Sequence, residues 1–529
     1  MTVKTEEERT KRVQAAHKRA VKKTPVPQCT DTANGNRLAA RYGADSRFVV
    51  EDRADGWQIW NGSYWQQDSL GTIIEAAKDT AMEILRDEVP EALAIAEKET
   101  DPDKKKLLLA YAKTLKSWAT LSLNVPKLNA MVKSASTIGT IAISASQLDT
   151  NGYLLQCENG TLDLRTGELR ESRREDLITK STHIVYDPNA TCPKFEAFLS
   201  WAMCNRPALV EFVWLALGMS LTGDVSERLI LFLHGGGKNG KSTLLSVFRD
   251  ILGDYAIRVS SDILEAASFA KGGGAASPHI ADLKGRRFMT TSEVEDGTQL
   301  AVALLKDLTG NETLRGRHLY KNSFEFYPEF TPWIGANYKP DAPADDQALW
   351  DRMRLVPFDA RVEPANIDKH LGEKLIAEEA SGILATAVRY CLKWQATGIT
   401  EPAEVMEATE DYRQSMDWFP DYLDHIRELP EFARTPSAIR EDFTDWVRLQ
   451  GYPKLTLRQF KAKMDGHGCR QEISKVGTRY WYVPDRPHRK LDWAKMARDA
   501  ESHVFSDDDF YEVEVCPDDE IWQLVEVEN

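Results

Sequence analysis

Residues 229–242 read Leu-Ile-Leu-Phe-Leu-His-Gly-Gly-Gly-Lys-Asn-Gly-Lys-Ser, and their second half fits G-x-x-x-x-G-K-[ST] from Gly235 to Ser242. Glycines let the backbone N–H groups of such a loop turn inward around phosphate oxygens, and a helix starting behind them adds a favourable dipole. Lys241 is then the cation that bridges the β- and γ-phosphates, and Ser242 the hydroxyl that holds Mg2+. Gly235, Gly237, Asn239, Gly240 and Thr243 complete the candidate binding set. The chemistry implied is capture of a nucleoside triphosphate.

Such a loop needs a buried strand before it and a helix after it. Leu229–His234 has the length and composition of a strand covered on both faces. Leu244, Leu245, Val247, Phe248, Ile251 and Leu252 recur at helical spacing until Gly253 supplies a stop. Further polar residues close or precede β-prone runs downstream. The run Arg287–Thr291 leads to Ser292 and Glu293, and Glu293 is the candidate acid that polarises the attacking water or holds it through Mg2+. The run Phe330–Ala336 ends at Asn337, an amide placed to position water against a γ-phosphate. Arg352 and Arg354 precede the apolar run Leu355–Phe358; an arginine here reads either as a finger toward a neighbouring subunit's γ-phosphate or as a surface ion pair.

A length of 529 residues predicts roughly three or four domains. With 42% hydrophobic residues the chain can bury real cores. No apolar run reaches the roughly 18 residues of a membrane span, so no membrane partner is expected. The seven cysteines are scattered without a C-x-x-C pair, which argues against a zinc ribbon or a disulfide framework and for a reducing cytoplasm. The net charge of −15 is unevenly spread: basic residues gather at Lys4–Lys23 and between Lys454 and Arg479, while 501–528 is acidic with Phe505, Phe510, Tyr511 and Trp522 interleaved. That tail reads as a solvated end or as a handle for a basic partner.

In order, residues 1–40 are expected to be a flexible basic arm and 41–190 an α+β domain. Within the latter, Phe48–Val50, Trp57–Trp60 and Ser63–Trp65 read as strands with Asn61-Gly62 as a hairpin turn, and helices fill 103–120 and 125–135. Trp57, Trp60, Tyr64 and Trp65 could stack bases, although core packing is the commoner use of such a stripe. Residues 191–360 form the motor with its leading helices, 361–430 a helical linker region, 431–485 a winged helix and 486–529 the acidic tail. In the winged helix, Ile439–Leu449 is one helix and Thr456–Met464 a second carrying Arg458, Lys461 and Lys463, with a wing from Gln471–Ile473 and Arg479–Val483.

The ordered set Leu283–Arg287, Ser292-Glu293, Leu305–Gly310, Gly316–Lys321, Phe324–Phe326, Ala336-Asn337 and Ala348–Arg352 resembles the superfamily 3 AAA+ helicase domain of phage and plasmid primase–helicases. Glu158–Leu169 resembles that family's N-terminal helicase-associated domain, and the likeness runs from about 45 to 485. The resemblance implies an α/β fold, with an AAA+ P-loop NTPase core between an N-terminal α+β domain and a C-terminal winged helix. It implies an ATP-dependent replicative DNA helicase using ATP and Mg2+, a homo-oligomer (a hexamer) encircling one strand of single-stranded or forked DNA and moving 3′ to 5′. By position, Gly240, Lys241 and Ser242 hold phosphate and metal, Glu293 is the second-motif acid, Asn337 the sensor and Arg352 the trans-acting finger. Arg317, His318 and Lys321 match the hairpin that grips DNA.

Two departures stand out. Ser292 replaces the acid that often precedes Glu293, and Thr309-Gly310-Asn311-Glu312 replaces a Thr-Gly-Gly-Asp turn. No carboxylate cluster joined to a zinc site precedes residue 230, so priming is expected on a separate primase chain, with a single-strand-binding protein as another partner. The alternative expectation is an ATP-switched DNA-binding initiator or regulator without unwinding activity.

Overall fold

The structure is a computed structural model that describes residues 28–52, 56–266, 278–291, 294–295, 297–310, 312–317, 323–429, 434–450, 452, 454–473 and 479–484. The chain divides into two compact units, 1–417 and 418–529.

The first unit opens with α1 (Asp31–Tyr42), followed by β1 (Ser46–Val49), β2 (Trp57–Trp60) and β3 (Trp65–Gln67). Next come α2 (Thr72–Glu83), a π-helical turn (Ile84–Glu88), α3 (Val89–Lys98), α4 (Pro102–Ser122), α5 (Val125–Ala135) and β4 (Ala142–Ile143). The strands form one sheet in the order β3-β2-β1-β4. The β2–β3 hairpin turns where Asn61-Gly62 predicts it, and the Asn61 side-chain oxygen accepts from the Ser63 and Tyr64 N–H groups. Trp65 is fully buried; its indole N–H donates to the Arg174 carbonyl at 2.9 Å and the Arg47 guanidinium lies 4.6 Å from its ring. Trp57 packs on Phe48 at 5.2 Å. These two members of the aromatic stripe are packing residues.

The expected arm of 1–40 needs correction. Residues 1–27 lie outside the described residues, but α1 already begins at Asp31, with the Thr30 hydroxyl accepting from Ala33 N–H at 3.1 Å. Its buried Asn34 donates to Ser122 at 2.8 Å and accepts from Trp118 Nε1 at 3.1 Å. Its apolar face is Leu38 with Ala39 and Tyr42 beside it, too short a pattern for hydrophobic periodicity to reveal the helix.

A meander of β5 (Leu154–Cys157), β6 (Gly160–Asp163) and β7 (Glu168–Arg170) leads to α6 (Pro193–Ala202) and α7 (Pro207–Met219). Then come β8 (Ile230–His234), α8 (Lys241–Leu252), β9 (Ala256–Val259), α9 (Pro278–Ala281), β10 (Phe288–Thr291) and α10 (Val302–Leu308). The hairpin β11 (Leu314–Gly316) and β12 (Phe324–Phe326) precedes β13 (Thr331–Ala336), α11 (Gln347–Trp350), β14 (Met353–Pro357), α12 (Leu371–Thr397) and α13 (Ala403–Ser415). Five of these strands form one parallel sheet in the order β14-β8-β13-β10-β9. Counted along the chain, that order is fifth-first-fourth-third-second. Phe248 of α8 meets Phe288 at 5.2 Å and Phe288 meets Trp333 at 5.5 Å, which fixes α8 on one face. Leu304, Leu305 and Leu308 of α10 cover the other.

The expected boundaries at 190 and 360 do not divide the packing. Leu155, Leu162 and Leu164 of the meander share one core with Phe195, Phe248, Ile383 and Leu384, each such side chain contributing about 1.5–3 kcal/mol by burial. The expected linker is likewise no linker: α12 is buried along most of its length, and Thr409 of α13 accepts from Leu355 N–H of β14 at 2.9 Å. Helical spacing shows that these helices exist but not what they bury against.

The second unit holds α14 (Phe419–Glu428), α15 (Pro436–Gln450), α16 (Leu457–Gly466) and the antiparallel pair β15 (Arg470–Ile473) and β16 (Arg479–Tyr482). Thr456 and Gln459 form a capping box at the start of α16. Phe419, Tyr422, Ile439, Phe443, Phe460 and Trp481 make its core, so α14 joins this unit from the stretch assigned to the linker. The tail from 485 onward lies outside the described residues.

Candidate functional site

The loop Gly235–Gly240 joins the buried strand β8 to α8. Gly240 adopts φ +91°, and a Cβ there would meet the Phe198 ring at 2.9 Å. At Gly235 a Cβ would fall 2.2 Å from the Phe358 carbonyl oxygen. Both positions therefore require glycine, one for its backbone angle and one for close approach. Around Gly236 and Gly237 there is open space instead.

Lys241, only 3% exposed, is held by neutral oxygens. Its Nζ donates to Gly235 O at 2.5 Å, Asn239 Oδ1 at 3.2 Å and Asn337 Oδ1 at 3.0 Å. Asn239 is itself pinned, donating to Phe358 O at 3.1 Å. Its amide therefore links the lysine to the Phe358 backbone. Asn337 arrives because β13 pairs with β8 in the register Ala336↔His234. Burial, with help from Lys339 and Lys241, pushes His234 down to about 4, so it adds no charge near neutral pH.

Gly240 offers α8 no side-chain cap, leaving first-turn N–H groups to face an anion. Lys241, Ser242 and Thr243 border a cavity of about 530 Å3 that runs along α8 to Thr290, Thr291, Gly335 and the start of α12. The Thr291 hydroxyl at its edge is buried with no hydrogen-bond partner among the described residues. Uncapped N–H groups, open loop space and a buried ammonium suit a polyphosphate anion.

Glu293 lies outside the described residues, two positions beyond the end of β10. Among the described residues no group of three or more His, Cys, Asp or Glu could hold a metal ion. Arg352 is remote from Lys241. Its carbonyl accepts from Ile230 N–H at 2.8 Å, and β14 runs beside β8 from Met353↔Ile230 to Pro357↔His234. It therefore stands at the amino end of the sheet, roughly 16 Å along the strands from the loop. Its guanidinium donates to Ala348 O, while its buried Nε has no hydrogen-bond partner among the described residues. Arg354 instead leans on Glu401, with Nε 2.5 Å from the carboxylate but off the hydrogen-bond direction.

Arg317 is exposed directly after β11, in the hairpin that pairs Arg315 with Glu325; His318 and Lys321 lie outside the described residues. On α16, Arg458 and Lys461 are exposed, whereas Lys463 covers the rings of Trp418 and Phe419 at 5.8 and 5.7 Å. Sequence reasoning missed Arg258 and Lys369, which border the cavity. Their only signals were a lone cation in a short apolar strand and one lysine in a charged loop. The described cysteines are free, and burial pushes Cys157 and Cys391 up to about 12.

Residues 35–204 match the family described as D5 N terminal like. A protein named as a helicase from Acanthamoeba polyphaga mimivirus is 28% identical over 316 residues, covering 56% of this chain and 32% of the relative. A protein named as a primase from African swine fever virus is 29% identical over 215 residues, covering 39% of this chain and 22% of the relative. The chain is thus similar to proteins of the primase–helicase kind. It spans a third or less of the length of these family relatives. The apo C-terminal region of NrS-1 superposes with a TM-score of 0.44 at 10% identity, covering 85% of this chain and 98% of that one. No described helix of the chain is long and apolar enough to cross a membrane.

Proposed function

We propose that the chain is the ATP-driven motor of a viral or plasmid replicative DNA helicase, a superfamily 3 AAA+ P-loop enzyme working as a hexameric ring on single-stranded or forked DNA. One observation carries this reading. Lys241 and Asn337 meet at 3.0 Å at the carboxyl ends of adjacent strands, while Arg352 stands at the amino end of the same sheet. A site whose finger is out of its own reach is completed by a second copy.

In this reading ATP displaces the Gly235, Asn239 and Asn337 oxygens from Lys241 and takes the ammonium for itself. Asn337, released, orients the attacking water, and Arg352 of the next copy stabilises the charge that builds on the γ-phosphate. Ser242 and Glu293 would hold Mg2+, which when bound neutralises phosphate charge. Arg317, His318 and Lys321 would track DNA phosphates without reading bases. The three-helix unit with its two-stranded wing is read as a winged helix, and Arg458 and Lys461 as its DNA-facing cations. Priming is assigned to another chain, with a single-strand-binding protein as a further partner, in the host cytoplasm.

The test is strand displacement from a tailed duplex together with subunit mixing. Lys241→Ala and Arg352→Ala chains should each be inactive, and their mixture should recover part of the ATPase. A monomer that hydrolyses ATP at the full rate, or an ATPase that never displaces a strand, overturns the reading.

A further inference from the structure

The cavity beside Lys241 contains cations that the motif does not account for. Arg258 on β9 and Lys369 just before α12 both border it, and neither has a hydrogen-bond or ion-pair partner among the described residues. The acids of the same cavity are already engaged: Asp250 with Arg249 at 3.2 Å and Glu373 with His370 at 2.9 Å. The site therefore keeps a surplus of positive charge in addition to Lys241.

Register determines where Arg258 projects. It stands opposite Thr290, which stands opposite Trp333, so the three share one face of the sheet. Trp333 meets Phe288, which meets Phe248 of α8, and a Cβ on Gly335 would touch Leu245 of α8 at 3.3 Å. That face is the cavity face. β9 is three strands from β8, about 14 Å across the sheet. Lys241 and Arg258 thus border the cavity from opposite ends, and its floor between them is the small residues Thr290 and Gly335. A bound polyphosphate would extend from the loop toward Arg258. Guanidinium suits that end, since its fork takes two oxygens of a terminal phosphoryl group at once.

We propose that Arg258 contacts the terminal phosphate of the bound nucleoside triphosphate from within the same chain and so sets the preference for triphosphate over diphosphate. The proposal rests on the nucleotide reading of the loop. It gives each chain its own detector of the γ-phosphate, separate from the finger that the next copy would supply.

Calorimetric titration of the full chain with ATPγS and with ADP, both with Mg2+, tests it in wild type, Arg258→Ala, Arg258→Lys and Lys241→Ala. Arg258→Ala should weaken ATPγS about tenfold, the value of one charge-assisted contact, and change ADP less than twofold. Arg258→Lys should recover part of the loss. Equal changes for both nucleotides, or none, overturn the proposal. So does an ATPγS loss that tracks a fall in assembly state by sedimentation, because the arginine would then serve a neighbouring copy. If Lys241→Ala binds both nucleotides like wild type, the nucleotide reading itself has failed. If Lys241→Ala loses both while Arg258→Ala keeps the wild-type ratio, only the present proposal has.

Discussion

At the amino end of the parallel sheet, Arg287 donates to Leu221 O at 2.8 Å and to Leu154 O at 2.7 Å, and its guanidinium lies 4.3 Å from the Tyr255 ring. At the carboxyl end, the Arg258 side chain has no partner among the described residues, and Lys241 donates to the Gly235, Asn239 and Asn337 oxygens. Arg286 repeats the first pattern, bonding the Asp254 carbonyl, and nearby Lys180 pairs with Asp149 at 2.7 Å. Burial alone would raise Asp149, but Lys180 and Thr179 hold it below the usual carboxylate range. The same residue types are thus used as staples at one end and left available at the other. Satisfied cations fasten the meander to the sheet; a cation without a described partner, as Arg258 is, can take up an anion when one arrives. Arg352 is the exception at the amino end, with a buried Nε that has no hydrogen-bond partner among the described residues.

The sharpest way to break this contrast is Arg352→Ala. If the residue serves a neighbour's nucleotide, turnover should fall about 10^3-fold, while calorimetry with ADP returns the wild-type affinity; a loss of folding stability instead would make it one more staple. Arg287→Ala should do the converse. Two carbonyls would be left buried without a donor, which costs about 3 kcal/mol by chemical denaturation. Arg287→Lys should recover little, because an ammonium cannot bridge both oxygens in the plane that guanidinium fits.

Asn239→Ala should have a smaller effect, about 1 kcal/mol for the lost Phe358 bond, read as weaker ADP binding through a loosened Lys241. The smallest effect belongs to His234. Its folded value of about 4 lies below the ordinary 6.5, so the unfolded chain binds more protons between those pH values. Its contribution is complete above about pH 6.5 and drains away as pH falls toward 4. His234→Gln should flatten that part of the stability profile in thermal melts, and an unchanged slope would show that burial and the neighbouring cations do not depress it.

What could be read from sequence divides along the same line. The loop, its strand and its helix were legible because glycine spacing and periodicity are local, and the Asn61-Gly62 hairpin was legible for the same reason. Arg258 was not, since its value depends on a register with Thr290, far away in the chain. Arg287 sat inside a recognised stretch, yet its partners Leu221 and Leu154 lie 66 and 133 residues away. Helix α1 escaped notice because its apolar face is only Leu38, Ala39 and Tyr42, with Asn34 adding a buried polar anchor. Glu293, His318 and Lys321 lie outside the described residues.

The shared interior of the meander and the motor sheet has a practical consequence. Leu155, Leu162 and Leu164 line the same core as Phe248 and Leu384, so a shortened chain beginning near residue 191 would lose one wall of its interior and expose the rest to water. A displacement of α8 would therefore be felt in the meander through the side chains they share.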